Sequence, residues 1–259
     1  MSDLRVAIIQ SKQFWEDKKA NFVHFEAHLS AIEPASTDLI MLPEMFNTSF
    51  SMNTNELGEE MDGAAIQWMK AQAKIQKSTI GATLIIKEGE KYFNRFVLVN
   101  EEGVHAHYDK RHLFRMAKEN NHFTAGEERI VIELYGWNIL LQICYDLRFP
   151  VFSRNKSLEE GTEYDLVIYP ANWPQKRNRV WKNLLVSRAI ENQAYCLGVN
   201  RVGEDGNGIT YSGDSLCVDP WGEILHQCTE NVEEVKILTL KKEVISDINN
   251  RFPAFKDAD

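Results

Sequence analysis

Three side chains of this 259-residue chain stand where catalytic groups commonly stand. Leu42-Pro43 leads into Glu44, His107-Tyr108-Asp109 into Lys110, and Leu141-Gln142-Ile143 into Cys144. Each time a strand-like run stops and a carboxylate, an ammonium or a thiol follows at once. In open α/β sheets the carboxyl ends of strands present side chains from several connections to one crevice. Meeting there, the three would make a hydrolytic set. A thiol with an ordinary pKa near ~8.5 is only a few per cent thiolate at neutral pH. A neighbouring carboxylate would take its proton as general base, an effect of ~10²–10⁴ in rate. The thiolate would attack a carbonyl, and the Lys110 ammonium and the Tyr145 backbone N–H would hold the oxyanion. Losing one such donor commonly costs roughly 3–4 kcal/mol of barrier. A thioester and a free amine or ammonia would follow, and water would finish the cycle. Alone, each residue has an ordinary explanation: a core cysteine, a helix-start carboxylate, a surface lysine. Joint placement is what would distinguish them.

The elements that must position them alternate between strand and helix. Leu4 to Ile9 reads as a buried strand, and Phe22, Phe25, Leu29 and Ile32 recur at helical spacing. Asp38 to Leu42 is a second strand, closed by Pro43. Asp62 is the expected cap of a helix carrying Ile66, Met69 and Ala73. Ile80 to Ile86 and Phe93 to Val99 form a strand pair around Glu88-Gly89-Glu90, and Val104 to Tyr108 is another strand. The polar stretch from Lys110 to Arg129 is expected to be a long functional loop. A hairpin turning at Gly136 follows, its second strand running up to Cys144. Leu166 to Tyr169 is a strand stopped by Pro170, and a helix runs from Val180 to about Asn192. Cys196 to Asn200, Asp214 to Val218, Ile224-Leu225 and Val235 to Leu240 are the last strands. A polar helix and tail, about 241–259, end the chain. This pattern predicts an α/β fold with mixed sheets, with two sheets packed together as one form of it, in one continuous domain over residues 1–259.

Composition narrows the function classes. Hydrophobic residues are 44% and charged ones 26%, as in ordinary folded proteins, and the net charge is −9. The longest basic run, Lys110-Arg111-His112, is too short for a nucleic-acid surface. The apolar runs fall short of the ~18 residues of a membrane span, and the start of the chain lacks a signal pattern. The expectation is a soluble cytoplasmic protein. Cys144, Cys196, Cys217 and Cys228 form no C-x-x-C pair, so free thiols are expected rather than structural zinc. Nucleotide-binding glycine patterns are absent, and no cofactor is expected. His105, His107 and His112 lack a carboxylate at tight spacing, so no metal is expected there. Asp205-Gly206-Asn207-Gly208 reads as a hairpin turn rather than a calcium loop.

Leu42-Pro43-Glu44-Met45-Phe46, Tyr108 to Phe114 and Ile143 to Pro150 resemble, in order, the Glu, Lys and Cys signatures of the nitrilase superfamily of carbon-nitrogen hydrolases. The resemblance continues through Tyr169 to Pro174, Arg188 to Tyr195, Asn200 to Gly203 and Pro220-Trp221-Gly222-Glu223, so it covers nearly the whole chain. The runs Tyr145 to Pro150 and Arg111 to Met116 are similar to the bacterial omega-amidase branch, the YafV-like proteins. The resemblance implies a four-layer α-β-β-α sandwich, commonly paired into homodimers. It implies release of ammonia from the terminal amide of 2-oxoglutaramate and 2-oxosuccinamate, with Glu44 as proton acceptor, Lys110 as oxyanion partner and Cys144 as nucleophile. A second glutamate after the lysine is also implied. Glu119, seven residues before Gly126, fits it, although Lys118-Glu119-Asn120 departs from the commoner Glu-Ser form.

Such a substrate carries a carboxylate, and a chain of net −9 needs a local cation to hold it. Arg115 and Arg148 are the candidates, since guanidinium binds carboxylate through two parallel hydrogen bonds. Trp173 and Phe114 are expected to wall the pocket, with Asn172 shaping it. Competing expectations are another carbon-nitrogen hydrolase of the superfamily (acting on nitriles, N-carbamoyl amines or deaminated glutathione), a Cys–His enzyme with His112 or His226 as base, and a catalytically silent binding protein.

Overall fold

Strand β1 (Leu4–Gln10) sets the pattern of the whole molecule. Successive strand side chains alternate, so Val6 and Ile8 face one way and Ala7 and Ile9 the other. In the computed structural model, which describes residues 2–159 and 161–257, both faces are covered. Val6 and Ile8 enter a core between two sheets, while Ala7 and Ile9 lie under helices. A strand buried on both sides must be apolar throughout, which is why such runs lack a polar alternation.

The first half of the chain adds α1 (Lys18–Leu29), β2 (Leu39–Met41), α2 (Thr54–Leu57), α3 (Ala64–Gln76), β3 (Thr79–Glu88), β4 (Lys91–Asn100) and β5 (Gly103–Asp109). The second half adds β6 (Val131–Leu134), β7 (Trp137–Leu141), α4 (Pro150–Ser153), β8 (Leu166–Ala171), α5 (Asn178–Asn192) and β9 (Tyr195–Asn200). It closes with β10 (Val202–Glu204), β11 (Thr210–Ser212), β12 (Leu216–Val218), β13 (Ile224–Gln227), β14 (Glu234–Leu240) and α6 (Lys242–Arg251). One sheet has the order β14-β1-β2-β3-β4-β5 and the other β13-β12-β9-β8-β7-β6. Each holds a parallel trio, β1-β2-β3 or β7-β8-β9, flanked by antiparallel strands.

Phe25 and Leu29 of α1 and Ile66, Met69 and Ala73 of α3 cover the outer face of the first sheet. Trp181, Leu185 and Ala189 of α5 belong to the core of the second. The result is the expected α-β-β-α sandwich with mixed sheets.

Some local expectations need correction. Gly63, not Asp62, occupies the N-cap of α3, and Glu59 Oε2 accepts the Ala65 N–H instead. Strand β8 runs through Pro170 to Ala171, with Pro170 in register with Val199. The 110–129 segment contains two short 3-10 turns, Arg115–Ala117 and Glu119–Asn121. Strand β7 ends at Leu141, and Cys144 opens a separate 3-10 turn, Cys144–Arg148. The tail segment at Phe252 and Phe255 is tied to the end of α5, Gln193 bonding to the Phe252 carbonyl at 2.6 Å and the Phe255 N–H at 3.1 Å.

Candidate active site

Glu44 follows β2, Lys110 follows β5 and Cys144 follows β7, so the two sheets deliver the three groups from separate strand ends. Cys144 sits at φ 44° and Met45, beside Glu44, at φ 46°. Non-glycine residues avoid this left-handed region, and holding one there costs of order 1–3 kcal/mol, a strain that gathers at functional sites. Gly126 closes the loop after Lys110 by donating to the Lys110 carbonyl at 3.0 Å. A Cβ there would collide with the Asp109 backbone, so only glycine fits.

The polar heads converge. Lys110 Nζ donates to Glu44 Oε1 at 2.8 Å and to Glu119 Oε1 and Oε2 at 3.0 and 3.1 Å. All three side chains are fully buried. Glu44 Oε2 accepts the Asn172 N–H at 2.8 Å, and Cys144 Sγ lies 4.0 Å from the Asn172 carbonyl oxygen. Glu119 is therefore no solvent-facing loop acid: Oε2 also accepts the Phe114 N–H at 2.5 Å.

Two carboxylates and one ammonium leave a net charge of −1 beside the thiol. Burial opposes the Lys110 charge, but Glu119 and Glu44 outweigh it and hold the ammonium well above the ordinary lysine range. Burial, aided by the Glu44 charge, pushes Glu119 up against the pull of Lys110. Burial and then Glu44 push the Cys144 thiol well above its ordinary value, and Lys110 offsets this only in part. The resting group is thus a neutral thiol, and nucleophilic attack needs a base that accepts its proton in the same step.

The cleft above Cys144 has a volume of about 70 Å³. Phe114, Tyr145, Arg148, Asn172 and Trp173 line it, together with Phe50, Arg177 and Tyr211. Arg115 does not. It is exposed and lines a neighbouring cleft with His112 and Phe149, because the 3-10 turn at 115–117 swings it away. His112 is bonded to Asp146 and stacked on Phe149, and His226 is paired with Glu234; neither reaches the Cys144 cleft.

Residues 5–250 match the carbon-nitrogen hydrolase family. The chain belongs to that family. It is a hydrolase of carbon-nitrogen bonds other than peptide bonds, as the resemblance implied. It is 44% identical to the omega-amidase YafV of Yersinia enterocolitica over 100% of this chain and 98% of that protein. It is 34% identical to the 2-oxoglutaramate amidase of Bacillus subtilis (strain 168) over 74% of each. Among solved structures, the CN-hydrolase superfamily protein XC1258 from Xanthomonas campestris, with an arsenic adduct in its active site, superposes with a TM-score of 0.96. That protein is 38% identical, with 100% of this chain and 98% of the other covered.

In this carbon-nitrogen hydrolase three further residues shape the site. Asn94, on β4, donates from one amide nitrogen to Glu44 Oε1 at 2.8 Å and Glu119 Oε1 at 3.0 Å, bridging the two carboxylates that Lys110 also bonds. Its only signal in the sequence is a buried amide inside an apolar strand. Arg177 lies just before α5, its guanidinium 5.3 Å from the Phe114 ring, and nothing in its spacing marks it.

Asp146 is the third. Its buried carboxylate accepts the Ile143 N–H at 2.9 Å, the Tyr108 hydroxyl at 2.8 Å, and the His112 N–H and ring at 2.9 and 2.8 Å. It thereby ties the Cys144 turn to the segment that carries Lys110. Asp146→Ala would strand several buried donors, each costing about 1–3 kcal/mol. We expect a loss of at least about 3 kcal/mol, read as a lowered urea midpoint at unchanged m-value. An unchanged midpoint would mean the carboxylate is not a tie.

Proposed function

We propose that this hydrolase is an omega-amidase, converting the terminal amide of short 2-oxo acid amides (2-oxoglutaramate and 2-oxosuccinamate) to the 2-oxo dicarboxylate and ammonia. The observation that carries the reading is the buried Glu44–Lys110–Cys144 cluster in a full-length relative of the omega-amidase YafV. Glu44 takes the Cys144 proton as Sγ attacks the amide carbon. The oxyanion is held by Lys110 Nζ and the Tyr145 N–H. An ammonium has three N–H donors, and in the resting site its three contacts all go to glutamate oxygens, so the oxyanion takes over one of the two Glu119 contacts. Tyr145 stands in the first turn of its helix, where backbone N–H groups have no intrahelical acceptor. Glu44 then passes the proton to the leaving nitrogen, ammonia departs and a thioester remains. Water, losing its proton to Glu44, attacks the thioester. The acid is released and the thiolate is reprotonated. Glu119 is a positioning residue that fixes and charges Lys110.

The rings of Phe50, Phe114, Trp173 and Tyr211 line the cleft beside Cys144 and suit a short acyl chain. Arg148 lies over Trp173 at 5.1 Å and Arg177 over Phe114 at 5.3 Å, and among the described residues neither makes an ion pair. Two uncommitted guanidiniums at the rim suit a substrate carboxylate, with Arg177 taking the part expected of Arg115. The reading also takes the enzyme as cytoplasmic, as one hydrolase domain over residues 1–259, and as a homodimer with the 241–259 tail near the contact. No helix among the described residues is long and apolar enough to cross a membrane.

The test is ammonia release from 2-oxoglutaramate, glutaramate, a nitrile and an N-carbamoyl amine. We expect kcat/KM for 2-oxoglutaramate to lead by about tenfold or more; preference for the nitrile or the carbamoyl amine would overturn the reading. A charge-assisted hydrogen bond is worth about 1.5–3 kcal/mol. Arg148→Ala and Arg177→Ala should therefore raise KM for 2-oxoglutaramate about 10–100-fold while leaving that of an uncharged short amide nearly unchanged. Equal losses on both substrates would assign the arginines a structural role.

A further inference from the structure

Away from the Cys144 cleft, two imidazoles and a carboxylate converge. His24 and His28 lie four residues apart on α1, so both rings leave the same face. Glu233 immediately precedes β14. His24 Nε2 is 2.7 Å from Glu233 Oε1 and 3.3 Å from His28 Nε2, which is 3.7 Å from the same oxygen. We propose that His24, His28 and Glu233 form a site for one late first-row divalent metal ion, of which Zn²⁺ is the type, outside the catalytic cleft.

The distances carry the argument. Zinc bonds of ~2.0–2.2 Å at tetrahedral angles place neighbouring ligand atoms about 3.3–3.5 Å apart. The two imidazole nitrogens already have that separation. Moving Glu233 Oε1 by about half an ångström, from His24 toward His28, brings the other two edges close to it. Both rings turn Nε2 toward the same carboxylate oxygen, and the Ser11 hydroxyl, 3.0 Å from His28 Nε2, would give up that contact to a bound ion. The carboxylate is braced from outside: Oε1 accepts the Lys12 N–H at 2.8 Å and the Ser11 hydroxyl at 3.1 Å. Metal-bound carboxylates are commonly held in this way by outer partners.

The Lys12 ammonium opposes a cation here, whereas the net charge of −9 favours one. Side-chain exposures of 18% for each histidine and 30% for Glu233 leave a path from solvent. A bound ion would tie α1 to the start of the strand that flanks β1.

The test uses full-length Cys144→Ala protein, so that the thiol in the cleft does not take the metal, titrated calorimetrically with Zn²⁺. We expect one ion per chain. At zinc about tenfold above Kd the thermal midpoint should rise by about 3–5 °C. His28→Gln and Glu233→Gln should each weaken binding at least about tenfold. The neighbouring group His226, Cys228 and Glu234 is the competing location. Binding that survives His28→Gln but is lost in Cys228→Ser would overturn the proposal, as would no binding at 100 μM metal, a probe concentration of about the usual order. Cobalt(II) gives a readout that does not depend on a variant folding. Weak visible bands without a thiolate charge-transfer band support the imidazole–carboxylate set, and a charge-transfer band overturns it.

Discussion

Cys144→Ser is expected to lose at least about 10⁴-fold in kcat/KM while keeping the fold. Removing the nucleophile of a hydrolytic set has costs of this order, because the residual rate comes only from binding and oxyanion stabilisation. The argument is sharper here than residue type alone would allow. The thiol is buried beside a cluster of net charge −1, so even sulfur starts protonated and above its ordinary pKa. A serine hydroxyl in that place starts several pKa units higher still, and Glu44 is then too weak a base to help. The measurement is steady-state ammonia release with 2-oxoglutaramate, paired with mass spectrometry of the wild type for an acyl adduct on Cys144. Turnover near the wild-type rate in the serine variant, or an adduct on Cys196, Cys217 or Cys228 alone, would end the assignment. Among the described residues those three cysteines are buried and none lines the cleft, so they are not expected to react.

Lys110→Met is expected to damage stability and rate together. It leaves Glu44 and Glu119 buried with no cation between them, where Lys110 now bonds to both. Breaking a buried pair by removing one partner costs about 3–5 kcal/mol. For a chain of this length that corresponds to a fall in the thermal midpoint of roughly 6–20 °C. Loss of an oxyanion donor adds about 10²–10³ in kcat. A second substitution separates the two effects. Lys110→Met with Glu119→Gln removes one of the stranded charges, so much of the midpoint should return while the rate does not. If the double variant regained activity, Lys110 would be a structural ion only. If the single variant lost neither stability nor rate, the buried cluster would not exist in solution.

How much of this was legible beforehand differs from residue to residue. Glu44, Lys110 and Cys144 were readable because each closes an apolar run, and strand ends are where a sheet delivers side chains to a common crevice. Glu119 was readable only through its family position, since its own surroundings read as a polar loop. Arg115 was misplaced because a polar stretch carries no periodicity, and a single 3-10 turn decides which of its side chains face inward. Arg177 and Asn94 were missed for a related reason. Each reaches the site from an element far away in sequence, and one amide or guanidinium in an ordinary run carries no signal.

The local alphabet of the chain determined its strands, its α/β layering and the strand-end positions of Glu44, Lys110 and Cys144, because the burial of both sheet faces is written as continuous apolar runs. Tertiary structure alone decided the ionic partners: that one ammonium sits between two acids, that Asp146 bonds the Cys144 turn to the Lys110 segment, and that Glu233 meets His24 and His28. The reason is physical. Apolar burial depends on a residue's own period along the chain, whereas a buried charge is stable only with a partner at hydrogen-bond distance, and the chain order does not specify where that partner comes from.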